Sequence, residues 1–272
     1  MRDLDRILGI LSEARRRIVR IVLVLGPLFG FLVTFRLQGI GLRLGGWTIP
    51  LAYPVPSLFN NVTAQVFRAL VAVTLPPNVD LINYHVGDSV VVQLEIGAIL
   101  TVILGMPWIV HEVGAFLVPA LRRNERELLR RIGIPATLLF ALGTALGLFF
   151  LTPLTFRLLF EYVAALNLSP ILGVQDFVTF VLLYSLAFGV VFELPVFVYA
   201  LTRLGLVKAA AWTKHWRAAI VGSLFFGMVV TPDNSGITML LVATPMIGLY
   251  LGGAWFAHRW ETVRARSALA GG

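Results

Sequence analysis

Six long apolar runs dominate the amino-acid sequence and leave few folds open to it. Of its 272 residues, 58% are hydrophobic and 13% are charged, whereas soluble domains carry about 25% charged residues. A helix needs about 20 apolar residues to cross the hydrocarbon of a bilayer. The runs cover residues 18–35, 90–118, 132–151, 177–201, 218–230 and 237–255. They predict an all-α integral membrane protein with six transmembrane helices, of which the last two are short.

Arginine and lysine are distributed unevenly between the two ends of these runs. Eighteen of the 22 lie on one side of the alternating topology and four on the other. Because cytoplasmic loops are enriched in positive residues, both termini are predicted to be cytoplasmic, and nucleic acid is not an expected partner. A single membrane domain over 1–272 then has a cytoplasmic N-terminal segment (1–17), a long extracytoplasmic loop (37–88) and a cytoplasmic tail (258–272).

The long extracytoplasmic loop is marked by proline and glycine. Its five prolines predict turns with short interfacial helices between them. The stretch GLRLGG, which begins at Gly41, precedes no helix signal and is predicted to form a turn.

Catalytic and metal-binding motifs are missing from the sequence. There are no cysteines, and the four histidines are scattered. His111 and Glu112 begin like the zinc-protease motif H-E-x-x-H, but position 115 is Ala115. Neither a phosphate-binding loop nor a G-x-S-x-G motif occurs. The sequence therefore predicts no enzyme, no metal and no cofactor.

Two carboxylates fall inside apolar runs. Glu193 lies within FGVVFELPVF, two residues before Pro195, and Glu112 lies near the end of the second run. A charged group at the bilayer centre costs about 2.5–3.5 kcal/mol on insertion scales, so such acids are functional by default. We expect Glu193 to face a wet cavity, to be protonated or to meet a partner's polar group. One alternative is a proton-coupled small-solute transporter that uses Glu193 and Glu112.

Two other acids stand in strongly basic surroundings, Glu13 in ILSEARRRI and Glu125 in LRRNEREL. One interpretation is ordinary i,i+4 pairing on a solvated helix, such as Glu13 with Arg17 or Glu127 with Arg131. The other is a recognition site for a cationic ligand, because carboxylates bind arginine in bidentate pairs. Both interpretations stay open on the residues alone.

Four motifs occur in order along the chain. They are ILSEARRRI from Ile10, GMPWIVHEVGAFLVPALRRNER from Gly105, FGVVFELPVFVYALTRLGLV from Phe188 and VVTPDNSGITMLLVATPMIGLY from Val229. In this order, on six predicted spans, they resemble the TatC family, the multispanning core of the twin-arginine protein translocase. The third is similar to the family's fourth-helix motif F-G-x-x-F-E-x-P, and the fourth to T-P-P-D followed by a proline-containing sixth helix.

This resemblance implies a fold and a function. The fold is a concave, cup-like bundle, and the protein is a receptor and core subunit of twin-arginine translocation in the bacterial inner membrane. It binds Arg-Arg signal peptides of folded precursor proteins and organises single-span TatA- and TatB-type partners in a larger complex with further copies of itself. The proton-motive force is the implied source of energy.

Site residues carry over from the matching motifs one at a time. The resemblance assigns signal-peptide binding to Glu13, Arg15, Arg17, Pro119, Leu121, Glu125 and Arg126. It assigns the intramembrane cavity and partner-helix contacts to Glu112, Glu193, Pro195 and Asp233.

The sequence also departs from the family pattern. Ile10 stands where the motif has histidine, and Ala14 stands where it has leucine. Glu112 replaces the glutamine of the second-helix motif and Gly114 its tryptophan, while Leu251 stands in place of an acid. The departures indicate a divergent member, and they affect the sixth helix more than signal recognition.

Overall fold

The structure, a computed structural model, describes residues 2–44, 47–77, 79–117, 123–231 and 236–270. It is mainly helical, as predicted. In a bilayer only helices and closed barrels satisfy every backbone N–H and C=O internally, and the apolar runs have adopted the helical solution.

Long apolar helices account for most of the described chain. Five segments are long and apolar enough to cross a membrane: Leu11–Thr34, Asp88–Phe116, Arg131–Ala165, Val174–Arg203 and Gly236–Val263. These confirm a multi-pass membrane protein.

The two C-terminal helices differ in length. Helix Trp216–Val230 has 15 residues and is short, as predicted, since it reaches only about 22 Å at 1.5 Å per residue. The last helix runs from Gly236 to Ala270 over 35 residues. The prediction that it is also short was wrong, because the helix continues through the polar sequence that follows Trp255.

The chain forms two compact units. The first comprises Met1–Gly105 and Phe156–Leu182, and the second comprises Met106–Thr155 and Leu183–Gly272. The elements that contribute to the first unit are α1 (Arg2–Thr34), β1 (Phe35–Leu44), β2 (Trp47–Pro56), α2 (Val62–Thr74), β3 (Asp80–Ile82), the start of α3 (Asp88–Leu117), most of α5 (Thr152–Ala165), β4 (Ile171–Gly173) and the start of α6 (Val174–Phe192).

An antiparallel hairpin occupies the first part of the predicted extracytoplasmic loop. Strands β1 and β2 pair in register from Phe35 opposite Pro56 to Leu44 opposite Trp47. The prediction of turns and interfacial helices was therefore wrong here, and Gly41 lies in a strand instead of a turn. A two-stranded ribbon has only edge strands, which tolerate the prolines of β2. Farther along, α2 is a short apolar helix, as expected.

Aromatic packing fills the interior of the first unit. Phe156 contacts Phe180 in an edge arrangement at 5.1 Å between ring centroids, and it lies 5.7 Å from Phe177. Phe67 of α2 approaches Phe177 at 6.4 Å. This cluster joins α2, α5 and α6, while the parallel pair β3–β4 links the two loops beside them.

Asn61 connects three helices of the first unit and is only 1% exposed. Its Oδ1 caps α2 by accepting the Ala64 N–H at 2.9 Å. Its Nδ2 donates to the Val33 carbonyl of α1 at 2.6 Å and to Gln93 Oε1 of α3 at 2.9 Å. One amide thus fixes where α1 ends, where α2 begins and how α3 lies against them.

The second unit is built from helices. It contains the end of α3, α4 (Arg123–Leu146), a π-helix (Gly147–Leu151), the end of α6, α7 (Leu194–Arg203), α8 (Ala209–Lys214), α9 (Trp216–Val230) and α10 (Gly236–Ala270). Buried Val198, Ala209 and Ala257 pack with Trp212 to join α7, α8 and α10. Trp212 Nε1 also donates to Thr202 Oγ1 at 3.0 Å.

Replacing Asn61 with alanine is expected to destabilise the first unit. The change removes the α2 cap, worth about 1 kcal/mol, and leaves the Val33 carbonyl and the Gln93 amide oxygen without this donor, at about 1–3 kcal/mol per unsatisfied group. Thermal unfolding of the detergent-solubilised protein, followed by circular dichroism, should show a lower midpoint. Asn83→Ala is the control, because exposed Asn83 makes a hydrogen bond to Ser89. Equal midpoints for the two variants would contradict the role of Asn61.

Candidate functional site

The fourth predicted span is interrupted at Glu193. Helix α6 ends at Phe192 and α7 begins at Leu194, with Glu193 at φ −73° and ψ −15° as its N-cap. The Glu193 N–H donates to Val190 at 3.1 Å, an i→i−3 bond, and its carbonyl accepts the Phe197 N–H at 2.9 Å. The chain therefore continues as a helix through Glu193, but at this residue an i→i−3 hydrogen bond takes the place of the usual i→i−4 bond.

Pro195 explains the interruption. Proline has no N–H to complete an i→i−4 bond, and it disfavours helical geometry for the residue before it. It is well placed in the first turn of a helix, which is its position in α7.

The carboxylate of Glu193 is not satisfied by its surroundings. Its Oε1 is buried and has no hydrogen-bond partner among the residues that the structure describes, although the side chain as a whole is half-buried. Burying a polar group without a partner costs about 1–3 kcal/mol in proteins. The folded chain thus retains a polar atom that a ligand, a water molecule or a partner's side chain can satisfy.

Glycines bring α4 very close to α6 beside the interruption. A Cβ added at Gly143 would lie 2.6 Å from the Phe188 carbonyl oxygen and 2.7 Å from Phe192 Cβ. A Cβ added at Gly147 would lie 3.0 Å from Phe188 Cβ. Small residues at this spacing are typical of close helix contacts in membranes. This Gly-x-x-x-Gly signal is present in the sequence but was not among the predicted site features.

Thr144 is a further residue of this region that was not among the predicted site residues. Its Oγ1 is buried and lacks a hydrogen-bond partner within the described ranges. It faces Gly189, where an added Cβ would overlap it. Gly189 precedes Glu193 by one helical turn on the same face. Among the residues that the structure describes, Thr144 Oγ1 on α4 and Glu193 Oε1 at the end of α6 are thus two buried oxygens without a hydrogen-bond partner.

A π-helix follows the close contact. Residues Gly147–Leu151 are wound with i→i+5 bonds, and Thr152 closes the segment with both its N–H and its Oγ1 on the Gly147 carbonyl, the latter at 2.8 Å. Segments of this kind are rare and occur often at functional sites. Here the π-helix directly follows the end of α4 at Leu146.

Helix α10 approaches the interruption from another side. A Cβ at Gly253 would lie 3.1 Å from Pro195 Cα and 3.5 Å from Val198 Cβ. The backbone of α10 therefore lies against the first turn of α7, and the interruption is enclosed by α4 near Phe192 and by α10 near Pro195.

Two other residues, Glu112 and Asp233, were predicted to line the cavity. Glu112 is on α3 in the second unit and is 2% exposed. Asp233 lies outside the described residues. Among the residues described, no group of three or more His, Asp or Glu side chains could hold a metal ion.

The acidic position on α1 forms an ion pair along its own helix. Arg17 Nε donates to Glu13 Oε1 at 2.8 Å, and 31% of the Glu13 side chain is exposed. Glu127 pairs with Arg131 at 2.7 Å in the same i,i+4 spacing. Both predicted pairings are confirmed, and Arg15 is exposed on the same helix.

The structure describes the remaining signal-site residues only in part. Glu125 and Arg126 lie in the first turn of α4, where the structure describes the backbone and not these side chains. Pro119 and Leu121 lie outside the described residues. Their assignment to a binding site stays a prediction.

Fold and site together define a class of protein: a multi-pass helical membrane protein with an unsatisfied carboxylate at an interruption of one span. The family model described as Sec-independent protein translocase protein (TatC) matches residues 9–245. The chain belongs to this family, which makes it a component of a Sec-independent protein translocase and confirms the resemblance drawn from its motifs.

Several curated relatives carry the same description. The TatC protein of Cenarchaeum symbiosum is 39% identical over 251 residues, covering 92% of this chain and 94% of the relative. That of Deinococcus radiodurans is 31% identical, covering 88% and 81%. The chloroplastic TATC of Arabidopsis thaliana is 33% identical over 62% of this chain, which spans 49% of that relative.

A solved structure shows the same fold. The crystal structure of a twin-arginine translocase receptor, TatC, superposes with a TM-score of 0.72 at 24% identity, and the match covers 92% of this chain and 98% of that one. This likeness confirms the mainly helical membrane fold predicted from the apolar runs.

Adding a methyl group at Gly143 is expected to separate α4 from α6. Gly143→Ala should destabilise the protein by about 1–3 kcal/mol, the usual cost of overpacking, although alanine favours helix over glycine by about 1 kcal/mol. Gly248→Ala is the matched control, because a Cβ at that helical position of α10 meets nothing within 4 Å. In thermal unfolding in detergent, the midpoint of Gly143→Ala should be lower than that of wild type. The midpoint of Gly248→Ala should be equal to that of wild type or higher. The reverse order would contradict the close contact.

Proposed function

We propose that this chain is the receptor and core subunit of a twin-arginine translocation system. It binds the paired arginines of signal peptides on folded precursor proteins and organises single-span TatA- and TatB-type partners. Membership of the TatC family supports this proposal. The observation that carries it is the Glu13 carboxylate, which stays partly accessible on an exposed helix rich in arginine.

The ion pair between Glu13 and Arg17 is weak enough for an arginine of a ligand to replace Arg17. An i,i+4 pair on a helix surface contributes about 0.3–0.5 kcal/mol, so its loss costs little. A guanidinium from a ligand can bind a carboxylate through two parallel hydrogen bonds, which are shorter and stronger than neutral ones. An arriving arginine therefore gains more at Glu13 than Arg17 loses.

Specificity for arginine follows from shape. A lysine ammonium is a point charge, whereas the planar guanidinium matches both carboxylate oxygens. Glu13 and Glu125 would each take one arginine of the pair. The basic residues around them, such as Arg15 and Arg126, disfavour a cationic ligand at any neighbouring position, which restricts where the signal docks.

Glu193 serves the transmembrane part of the same process. Its unpartnered Oε1 is available to a polar group on a partner helix or on the signal as it crosses the bilayer. An unmet polar atom inside a membrane costs several kcal/mol, so a helix that supplies a donor is favoured over one that does not. Glu112 and Asp233 are assigned to the same intramembrane role.

The cellular setting completes the proposal. The excess of arginine and lysine on one side of the spans supports cytoplasmic termini, and the expected location is a bacterial inner membrane. Copies of the chain assemble in a larger complex, and the proton-motive force drives export.

Loss of the Glu13 carboxylate is expected to weaken binding of an Arg-Arg signal peptide about ten- to a hundredfold, since a hydrogen bond to a charged group is worth about 1.5–3 kcal/mol. Fluorescence anisotropy of labelled Arg-Arg and Lys-Lys peptides, titrated with the solubilised chain, measures this for wild type, Glu13→Gln, Glu125→Gln and the double variant. Glu127→Gln is the control, because exposed Glu127 forms the equivalent pair with Arg131.

Two outcomes would count against this site. The first is equal affinity of wild type for the two peptides, and the second is an Arg-Arg preference that survives in the double variant. Liposomes containing the chain alone test the alternative of a proton-coupled solute transporter, which predicts a flux that the proposed receptor does not produce.

Replacing Glu193 with leucine is expected to stabilise the isolated chain and impair its function. Removing a buried oxygen without a partner relieves about 1–3 kcal/mol, so the unfolding midpoint in detergent should rise. Export of a twin-arginine reporter in cells should fall, because a partner helix loses its polar contact. Glu161→Leu, at an exposed acid of α5, should change neither measurement in this way. Unchanged export in Glu193→Leu would remove Glu193 from the proposed function.

A further inference from the structure

Three arginines of the second unit lie over tryptophan rings. The pairs are Arg203 with Trp260, Arg217 with Trp216 and Arg259 with Trp255, at 5.5, 5.5 and 5.4 Å from guanidinium carbon to ring centroid. Arg203 also lies 5.8 Å from the Tyr199 ring. These distances are typical of cation–π contacts. We refer to these six paired residues as the arginine–indole rim.

Each pair stands at the end of an uncharged helical stretch. No Asp, Glu, Lys or Arg occurs in residues 194–202 of α7, 218–230 of α9 or 236–257 of α10. Tryptophan is enriched where such stretches leave the hydrocarbon and meet the lipid headgroups. The rim therefore marks the headgroup level of three helices.

Contacts through α8 hold the three helix ends together. Helix α8 lies between Arg203 at the end of α7 and Arg217 in the first turn of α9. The Ala209 N–H at the start of α8 donates to Glu261 Oε1 of α10 at 3.1 Å, two residues beyond Arg259. The three arginines thus belong to one end of the second unit.

The rim carries positive charge that the described chain does not neutralise. Within the described ranges, none of the three arginines has a carboxylate oxygen within 4.0 Å. Two exposed lysines, Lys208 and Lys214, flank α8 and add to the charge. The neighbouring acid, Glu261, is engaged with the backbone of α8.

Cation–π contacts leave the arginines able to bind an oxyanion. A guanidinium that rests on an indole uses its flat face, while its N–H donors point outward in the plane. Those donors match two oxygens of a phosphate group. All three arginines are exposed. Arg203 Nη1 donates to Tyr199 Oη, while its other N–H donors and those of Arg217 and Arg259 are open to a ligand.

We propose that the arginine–indole rim binds the headgroups of anionic phospholipids. The phosphate pairs with the arginine edges, and the acyl chains lie along exposed apolar side chains farther into each helix, such as Phe197, Val221 and Phe256. An acidic soluble protein would match the charge but not this apolar surface. Paired-arginine signals are cations and are repelled, so the rim is separate from the proposed signal site.

Quenching of tryptophan fluorescence by brominated lipid tests the proposal. The solubilised chain is titrated with brominated phosphatidylglycerol or brominated phosphatidylcholine at matched mole fraction. Wild type should be quenched at lower concentrations of the anionic lipid. The triple variant Arg203→Gln, Arg217→Gln, Arg259→Gln should lose that preference, with roughly a fivefold change in apparent affinity for each arginine removed.

Matched variants separate the rim from general charge and from misfolding. The double variant Arg68→Gln, Arg157→Gln removes two exposed arginines of the first unit. It should keep the preference for the anionic lipid. A triple lysine variant preserves the charge without the planar donors, so it should fold as wild type does and show an intermediate preference. Thermal unfolding of each variant confirms that it is folded.

Three results would overturn the proposal. Wild type could be quenched equally by both lipids, or the triple glutamine variant could keep the preference for phosphatidylglycerol. Alternatively, inorganic phosphate or a polyglutamate peptide could abolish the preference at concentrations equal to that of the lipid, which would assign the rim to a soluble anion or an acidic protein. These tests use no signal peptide, so they stand or fall independently of the proposed receptor function.

Discussion

Backbone hydrogen bonding in an apolar medium is the constraint on which the rest of this structure depends. Inside a bilayer no water can replace a missing bond, so each span must satisfy its own N–H and C=O groups. The chain follows this rule through long helices, and departs from it at prolines within them such as Pro195, which lacks the N–H that would complete the turn. The tightened turn at Glu193 places the buried Oε1, which has no partner among the described residues, where the helix is already weakened.

Packing around that turn relies on the absence of side chains. Gly143 and Gly147 of α4 admit Phe188 and Phe192, while Gly253 of α10 admits Pro195. Without a hydrophobic driving force between helices in lipid, close backbone approach is what holds them together. The interruption is therefore supported from two sides by backbone rather than by bulky side chains, and its geometry depends on keeping those positions small.

The parts of the fold that follow from local pattern could be predicted from the sequence. The apolar runs predicted the helices, and the spacing of Glu13 and Arg17 predicted their ion pair. The hairpin of β1 and β2 was missed because its glycines and prolines were read only as turn signals, although Gly45-Gly46 between apolar stretches also favours a hairpin. Thr144 and Gly189 were missed because their importance arises from a contact between helices far apart in sequence, which no local pattern encodes.

The hydrogen bonds of Asn61 have a consequence for producing this protein in other hosts. Asn61-Val62-Thr63 fits the acceptor pattern for N-linked glycosylation, yet the amide nitrogen that would carry the sugar is buried and donates to Val33 and Gln93. A glycan could be attached only before α2 docks against α1 and α3. If the protein is produced in a eukaryotic secretory membrane, glycosylated chains would therefore be those whose first unit assembled late. Chains without the glycan would be those whose first unit assembled promptly.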